Sequence, residues 1–367
     1  MKETNNISVV VPYTANYELM INFLNKTIPI INKYHYELVL VKDEDCGLEM
    51  NEAIAKLIDG NSLIKQIEEG YANGTSVANN LGVANSNNEL IAFVNNDVFL
   101  QDDTLELLKA ELLSSEDIGV VQALLLYPNS NLVQSTGHIF GNYHNTHALI
   151  NRKASDKIVQ TRAVRQGVTN ACCLMRKSTF NEHGGYDTNF YNAWEGLDLN
   201  LQITKSGKQC VYLPSAVAYH IQGGSRESIY RNQSYQDSYF WLKNNSILKC
   251  DFQDLIMTQL NDLAIFNIKN DYHIINCSSY SYEQWQPLLD LFEGNLSKTA
   301  ITIYSKDGVI KLEAKILLDE LNSYGKVIYL VDNYTKIKNN KYVFNQKDSS
   351  NDIVIDISGN VLAINEF

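Results

Sequence analysis

The stretch FVNNDVFL, residues 93–100, ends an apolar run on two amides and a carboxylate, Asn95, Asn96 and Asp97. Two roles are open to such a pattern. The three residues can break a strand, because Asn and Asp tolerate the backbone angles of turns. Alternatively, a buried strand delivers them to a pocket edge, where they hold a cation and the phosphates of a nucleotide. A second candidate lies in WEGLDL, residues 194–199, where Glu195 and Asp198 stand three apart. On a helix that spacing puts both carboxylates on one face, so both can enter one pocket. The competing role is an acidic first turn that complements the helix dipole.

Groups of this kind need a framework to carry them to one place. ISVVVPY (7–13) is a short continuous apolar run, as in a parallel strand covered on both faces. Behind it, NYELMINFLNKTIPIINK repeats apolar residues at three and four, which predicts a helix. ELVLV, LEMNEAIAKLI, SLIKQIEE, TSVANNLGVANS and ELIAFVNND then read as strand, helix, strand, helix and strand. This alternation predicts a doubly wound parallel sheet. Sheets of that type bind ligands beyond the carboxyl ends of their strands. Pro12, Tyr13 and Thr14, Lys42 to Asp45, and Asn95 to Asp97 would therefore line one edge.

IGVVQALLLY and QCVYLPSAVAYH also read as strands, and TNACCLMRKSTFNEHGGYD as a strand, a short helix and a Gly-Gly turn. Between them, residues 142–165 are polar with few apolar anchors and predict a loop near the cleft. After about residue 250 the alternation resumes through YHIINCS, YEQWQPLLDLFEGN, TAITIYS, VIKLEAKILLDELNSYG, KVIYLVDN and DIVIDIS. That predicts two domains, 1–248 and a smaller α/β unit at 249–367. The second has no glycine-rich phosphate loop, so a structural or docking role is its first reading.

Composition narrows the function classes. With 30 basic and 42 acidic side chains the formal charge is -12, which leaves no basic surplus for a nucleic-acid backbone. No apolar stretch reaches the roughly 18–20 residues of a membrane span, and MKETNN, polar and leading into a strand-like run, does not read as a secretory signal or transit peptide. The expectation is a cytoplasmic protein, with a peripheral position at the inner face of the membrane open to it. Its six cysteines form no Cys-x-x-Cys pair and fit reduced thiols.

Five segments in order resemble the family 2 glycosyltransferases, which have the GT-A fold. They are VVVPYTANYELM, ELVLVKDED, NGTSVANNLGVANSNNELIAFVNND, CLMRKSTFNEHGGYDTNF and WEGLDLNLQITKSGKQCVYLPSAVAYH. Together they span residues 7 to about 245. The resemblance implies a GT-A, nucleotide-diphospho-sugar transferase fold with a doubly wound mixed sheet, and bacterial, rhamnosyltransferase-like relatives.

The resemblance also implies site residues. Asn95-Asn96-Asp97 takes the place of the Asp-x-Asp motif, with an amide for the first carboxylate. Asp97 would then carry the charge for a divalent cation, manganese or magnesium, while the amides meet the nucleotide. His220 is the second implied metal ligand, against a structural role for a lone histidine after a strand. Asp43 stands where an Asp reads the uracil or thymine edge, or closes a strand-end turn. Asn73, Gly74 and Asn79 resemble the Asn-x-Gly helix entry that approaches the diphosphate, or serve as a helix cap.

In WEGLDL, Gly196 replaces the first Asp of a Glu-Asp-x-Asp signature. The implied reaction needs a base for the acceptor hydroxyl; Glu195 is the first choice and Asp198 the reserve, the latter equally an acceptor ligand or an anchor. Trp194 can form a platform for a sugar ring or belong to the core. His138, His144 and His147 can meet phosphate or acceptor, and Arg226 can meet the diphosphate.

The expected function is inverting transfer from a UDP- or dTDP-sugar to a glycan, lipid-linked or protein-linked acceptor, in bacterial surface polysaccharide or glycoprotein assembly. The C-terminal unit would carry a homo-oligomer contact or a glycan-assembly partner. One rival is a non-catalytic nucleotide-sugar or glycan-binding protein, to which the altered NND and WEGLDL point. A nucleotidyltransferase is disfavoured because VVVPYTANYE lacks a Gly-rich basic loop.

Overall fold

The computed structural model describes residues 6–43, 45–68, 73–141, 144–221, 233–300, 326–335 and 351–364. The chain begins with β1 (Ile7–Tyr13), α1 (Tyr17–Tyr34), β2 (Glu37–Lys42), α2 (Gly47–Ile58), β3 (Ile64–Glu68), α3 (Thr75–Ala84) and β4 (Leu90–Val94). It continues through β5 (Val98–Leu100), α4 (Thr104–Leu113), β6 (Ile118–Leu126), β7 (Val133–Ser135), β8 (His138–Gly141) and β9 (His144–His147). β10 (Ala163–Arg165), β11 (Cys172–Arg176), α5 (Lys177–Glu182), α6 (Glu195–Lys205), β12 (Gln209–His220) and α7 (Gln233–Asn244) follow.

These elements build a sheet in the order β10-β12-β6-β11-β4-β1-β2-β3, with β5 beside β12 and β7 beside β6. β1 to β4 pair parallel, and β11 runs antiparallel between β4 and β6, so the sheet is mixed. Period-two alternation sends the strand side chains to two cores. Ile7, Val9, Val11, Leu38 and Leu40 pack with Phe23, Leu24, Met50, Ile54 and Leu108 from α1, α2 and α4. Val10, Val39, Val41, Ile91 and Phe93 pack on the other face with Ala78, Val83, Phe180, Leu199 and Ile203 from α3, α5 and α6. Each such side chain, once fully buried, contributes about 1.5–3 kcal/mol. The continuous apolar runs are thereby explained, since both faces of each strand are covered.

The chain divides into two compact units, residues 1–138 with 153–248, and 139–152 with 249–367. Residues 139–152, assigned by the sequence reading to the first domain, thus belong to the second unit. The predicted loop at 142–165 holds β9 and β10.

In the second unit, α8 (Phe252–Asp262), β13 (Tyr272–Asn276), α9 (Tyr282–Leu289), β14 (Leu296–Ala300), β15 (Val327–Val331), β16 (Ile353–Asp356) and β17 (Val361–Ala363) form a smaller α/β layer. Its sheet order is β14-β13-β15-β16-β17, parallel except for β17. His144 lies in this unit, its ring against Phe252 and Tyr280 at 5.0 and 4.5 Å, which makes it a core residue there. The helix expected from VIKLEAKILLDELNSYG lies outside the described residues. No helix among the described residues is long and apolar enough to cross a membrane.

Candidate active site

The sheet order reverses at β1, whose neighbours are β2 and β4, and in sheets of this kind the ligand crevice lies at the strand ends beside such a reversal. Three sequence-predicted groups reach it from different strands.

Asp43 follows β2 and is buried; its amide N–H donates to the Tyr13 carbonyl at 3.0 Å. One carboxylate oxygen accepts the Gly74 N–H at 3.2 Å. Neighbouring Lys42 instead pairs with Glu68 at 3.1 Å. Pro12 is half-buried, and the Tyr13 ring is packed in the core with its hydroxyl accepting from Gln66 Nε2 at 2.9 Å. Burial pushes the Tyr13 phenol far above its usual range. Tyr13 therefore shapes the crevice through its backbone.

Asn73 is exposed, and Gly74 begins α3 with φ +94° and ψ 170°. That conformation suits glycine alone. A Cβ at Gly74 would also overlap the Tyr191 carbonyl, which accepts the Thr75 N–H at 2.9 Å. The close approach expected of this glycine is thus made to Tyr191. Asn79 Nδ2 donates to the Thr75 carbonyl at 2.9 Å, and its buried Oδ1 has no donor among the described residues. Gly74→Ala is expected to destabilise the protein by about 2–4 kcal/mol, read by chemical denaturation, through backbone strain and the Tyr191 overlap together.

Asn95, Asn96 and Asp97 form the turn between β4 and β5, with the Val98 N–H donating to the Asn95 carbonyl at 3.0 Å. The strand-break role is the one this turn displays. Asn96 and Asp97 are buried, and Asn96 Nδ2 meets no acceptor among the described residues. β5 pairs antiparallel with β12 in a register that sets His220 opposite Val98. His220 Nε2 consequently lies 3.0 Å from Asp97 Oδ1.

Gln134 on β7, not singled out in the sequence, fixes that ring. Its Nε2 donates to the His220 carbonyl at 2.9 Å, which turns Oε1 toward Nδ1 at 2.5 Å. With Oε1 as the acceptor Nδ1 donates, and Nε2 faces a carboxylate oxygen across either a proton or a cation. Two electron-rich atoms so close require a proton or a cation shared between them. A spacing of 3.0 Å matches adjacent ligands of an octahedral ion with bonds of about 2.1 Å. Among the described residues no three or more His, Cys, Asp or Glu gather as a metal cage. Among the described residues Asp97 and His220 are thus a pair and not a cage, and an ion between them would take its remaining oxygens from a ligand or water.

Glu195 and Asp198 occupy the first turn of α6, and both are buried. The turn before them is strained: Ala193 and Trp194 have φ of +84° and +71°, each costing about 1–3 kcal/mol. Gly196 stands where a Cβ would strike the Asn170 side chain, so Asn170 fills the space of the expected second acid. Asp198 is committed elsewhere. Its two oxygens accept from Lys243 Nζ at 2.8 Å and Asn244 Nδ2 at 2.9 Å. Lys243 also reaches Asp187 at 2.6 Å. The Trp194 ring stacks on Phe240, centroids 4.2 Å apart, so one face is covered.

Although burial raises the Asp187 pKa, hydrogen bonds from Lys243, the Asn189 amide and Tyr239 hold it down to about 2. A depressed folded-state value gives stability that is complete above about pH 4 and lost as the pH falls through 2. Acid unfolding followed by tryptophan fluorescence is expected to show this limb. In Lys243→Met the folded-state value moves back toward the unfolded one, so this limb is expected to shrink.

His138 is buried, and its N–H donates to the Gly167 carbonyl at 2.9 Å. His147 is half-buried in the second unit. Arg226 lies outside the described residues. Lys243, Asn244 and Asn170 are residues of the site region that no sequence motif marked.

The family model described as "Glycosyltransferase like family 2" matches residues 8–265. Among curated proteins, the O-antigen biosynthesis protein RfbC of Myxococcus xanthus is 24% identical over 249 residues, covering 66% of this chain and 19% of RfbC. The chain thus spans about a fifth of the length of that relative. An N-acetylglucosaminyl-diphospho-decaprenol L-rhamnosyltransferase of Mycobacterium tuberculosis is 36% identical over 53 residues, 14% of this chain and 17% of that protein. Among solved structures, GalNAc-T7 with UDP, GalNAc and Mn2+ superposes with a TM-score of 0.50 at 13% identity, covering 60% of this chain and 44% of that one. At that identity the likeness is one of fold, and it agrees with the mixed, doubly wound GT-A-like sheet described above.

Proposed function

The chain belongs to glycosyltransferase-like family 2, and from that premise we propose that it transfers a sugar from a UDP- or dTDP-linked donor to a glycan acceptor. The transfer inverts the anomeric carbon, and its setting is bacterial surface polysaccharide or glycoprotein assembly, on a lipid-linked or protein-linked acceptor. The observation that carries this reading is the Asp97–His220 pair, 3.0 Å apart at the crevice with the ring oriented by Gln134.

In this reading Asp97 and His220 hold a divalent cation, manganese or magnesium. Bound there, the ion neutralises negative charge on the donor diphosphate. Asp43 accepts from the base edge of the nucleotide, with Gly74 N–H fixing its carboxylate. Asn95 and Asn96 supply uncharged hydrogen-bonding groups, and the unsatisfied Asn96 Nδ2 is a donor waiting for a ligand oxygen. Glu195 takes the proton of the acceptor hydroxyl as its oxygen bonds to the anomeric carbon. The bond to the diphosphate breaks on the opposite side and its electron pair leaves with the diphosphate. Asp198, held by Lys243 and Asn244, anchors α6. The protein acts in the cytoplasm or at the inner membrane face, and its second unit carries an oligomer or assembly contact.

The test is a panel of sugar nucleotides assayed for nucleotide release with manganese, magnesium or chelator, with and without acceptor glycans. Metal-dependent release of UDP or dTDP from one donor is expected. Donor binding with no turnover across the acceptors would overturn the catalytic reading in favour of a binding protein.

A further inference from the structure

The backbone before Glu195 does not hold itself. Ala193 and Trp194 are consecutive non-glycine residues with positive φ, and such strain persists only where surrounding contacts over-determine it. Two elements supply those contacts. From α3, the Thr75 N–H donates to the Tyr191 carbonyl at 2.9 Å and Thr75 Oγ1 to Asn192 Oδ1 at 3.1 Å. From α7, Gln236 Oε1 accepts the Asn192 N–H at 3.0 Å, and Asp237 Oδ1 accepts the Trp194 indole N–H at 2.6 Å. Phe240, one turn further along α7, stacks on the same indole. The Trp194 carbonyl in turn accepts the Asp198 N–H at 2.8 Å, closing the first turn of α6. Trp194 is therefore a strut between α7 and the residue that precedes Glu195.

The geometry points to Asp237 as a positioning residue for the base. Acting through the Trp194 indole, it holds the strained turn that aims the Glu195 carboxylate. Asp237 Oδ1 also accepts from Gln233 Nε2 at 2.7 Å, which keeps that oxygen in place one helical turn away. An oxygen acceptor at this position is what the indole requires, and the negative charge is secondary. This inference rests on Glu195 being the base. It assigns to Trp194 a role in orientation in place of a platform for a sugar.

The test compares Asp237→Leu, Asp237→Asn, Trp194→Phe and the Asp237→Leu/Trp194→Phe double variant, with Glu195→Gln alongside, using the donor and acceptor found in the panel. Asp237→Leu removes the acceptor and Trp194→Phe removes the indole N–H while keeping an aromatic ring on Phe240. Each is expected to lower kcat on the order of 10²-fold, the cost of a misplaced reacting group, with the donor KM unchanged. Asp237→Asn, which keeps Oδ1, is expected to restore most of the rate. The double variant is expected to be no slower than the slower single one, because both remove one interaction.

Losses that multiply in the double variant, or a failure of Asp237→Asn to restore the rate, would overturn the inference. So would wild-type kcat in Asp237→Leu beside an inactive Glu195→Gln, an outcome that leaves the base assignment standing. Full turnover by Glu195→Gln would remove the base assignment and the positioning role with it.

Discussion

Asp97→Asn is expected to lower metal-dependent turnover by about 10³-fold while leaving the thermal midpoint of the protein close to wild type. The substitution is isosteric, so packing around this buried position is conserved. Its new amide N–H2 can donate to His220 Nε2, which replaces the shared proton or cation with an ordinary hydrogen bond. What is lost is the one charged ligand at the tip of β4, because Asn95 and Asn96 contribute dipoles only. Several kcal/mol of charge stabilisation at a diphosphate corresponds to a rate factor of this order. Manganese binding in the presence of UDP or dTDP, followed by the paramagnetic signal of the free ion, should weaken in parallel. An Asp97→Asn protein that binds manganese and turns over donor as wild type would exclude this pair as the cation site.

Glu195→Gln should lower kcat by about 10²–10⁴-fold, the range for loss of a general base, with donor affinity retained. Asp198→Asn should behave differently, because the Asp198 carboxylate already receives Lys243 and Asn244. Neutralising it leaves the half-buried Lys243 with Asp187 alone and costs about 2–4 kcal/mol of stability. Its residual kcat at a temperature where it remains folded should exceed that of Glu195→Gln. Calorimetry and steady-state kinetics on both variants separate the two carboxylates. The opposite pattern, a stable but inactive Asp198→Asn beside an active Glu195→Gln, would exchange their roles.

The two carboxylates show where local pattern stops being informative. Three-residue spacing put both on one helical face, and both are indeed buried in the first turn of α6. Nothing in WEGLDL distinguishes them, since the groups that engage Asp198 arrive from α7, 45 and 46 residues later. α7 itself left little trace of its periodicity. It buries Gln236 and Asn244 while exposing Tyr235 and Leu242, so polarity does not report which face is covered. Residues 142–165 are similar: a polar segment with few apolar anchors reads as a loop, yet His144 is packed among the rings of the second unit.

By itself the sequence determined the alternation of β1 to β4 with their helices, the mixed GT-A-like class, and the strand ends that carry Asp43 and Asp97. The alternation and the strand ends follow from apolar periodicity, a local property, because each strand covered on both faces needs a continuous apolar run whatever its neighbours are; the mixed GT-A-like class follows from the resemblance of the five ordered segments. Only the tertiary structure decided how the polar groups meet and which further residues join them. His220 reaches Asp97 through the antiparallel register of β12 on β5, and Gln134 reaches His220 across 86 residues of chain. Such pairings depend on strand register, and register is settled by the collective burial of both sheet faces. The site's polar contacts therefore exist only after the core has formed around them.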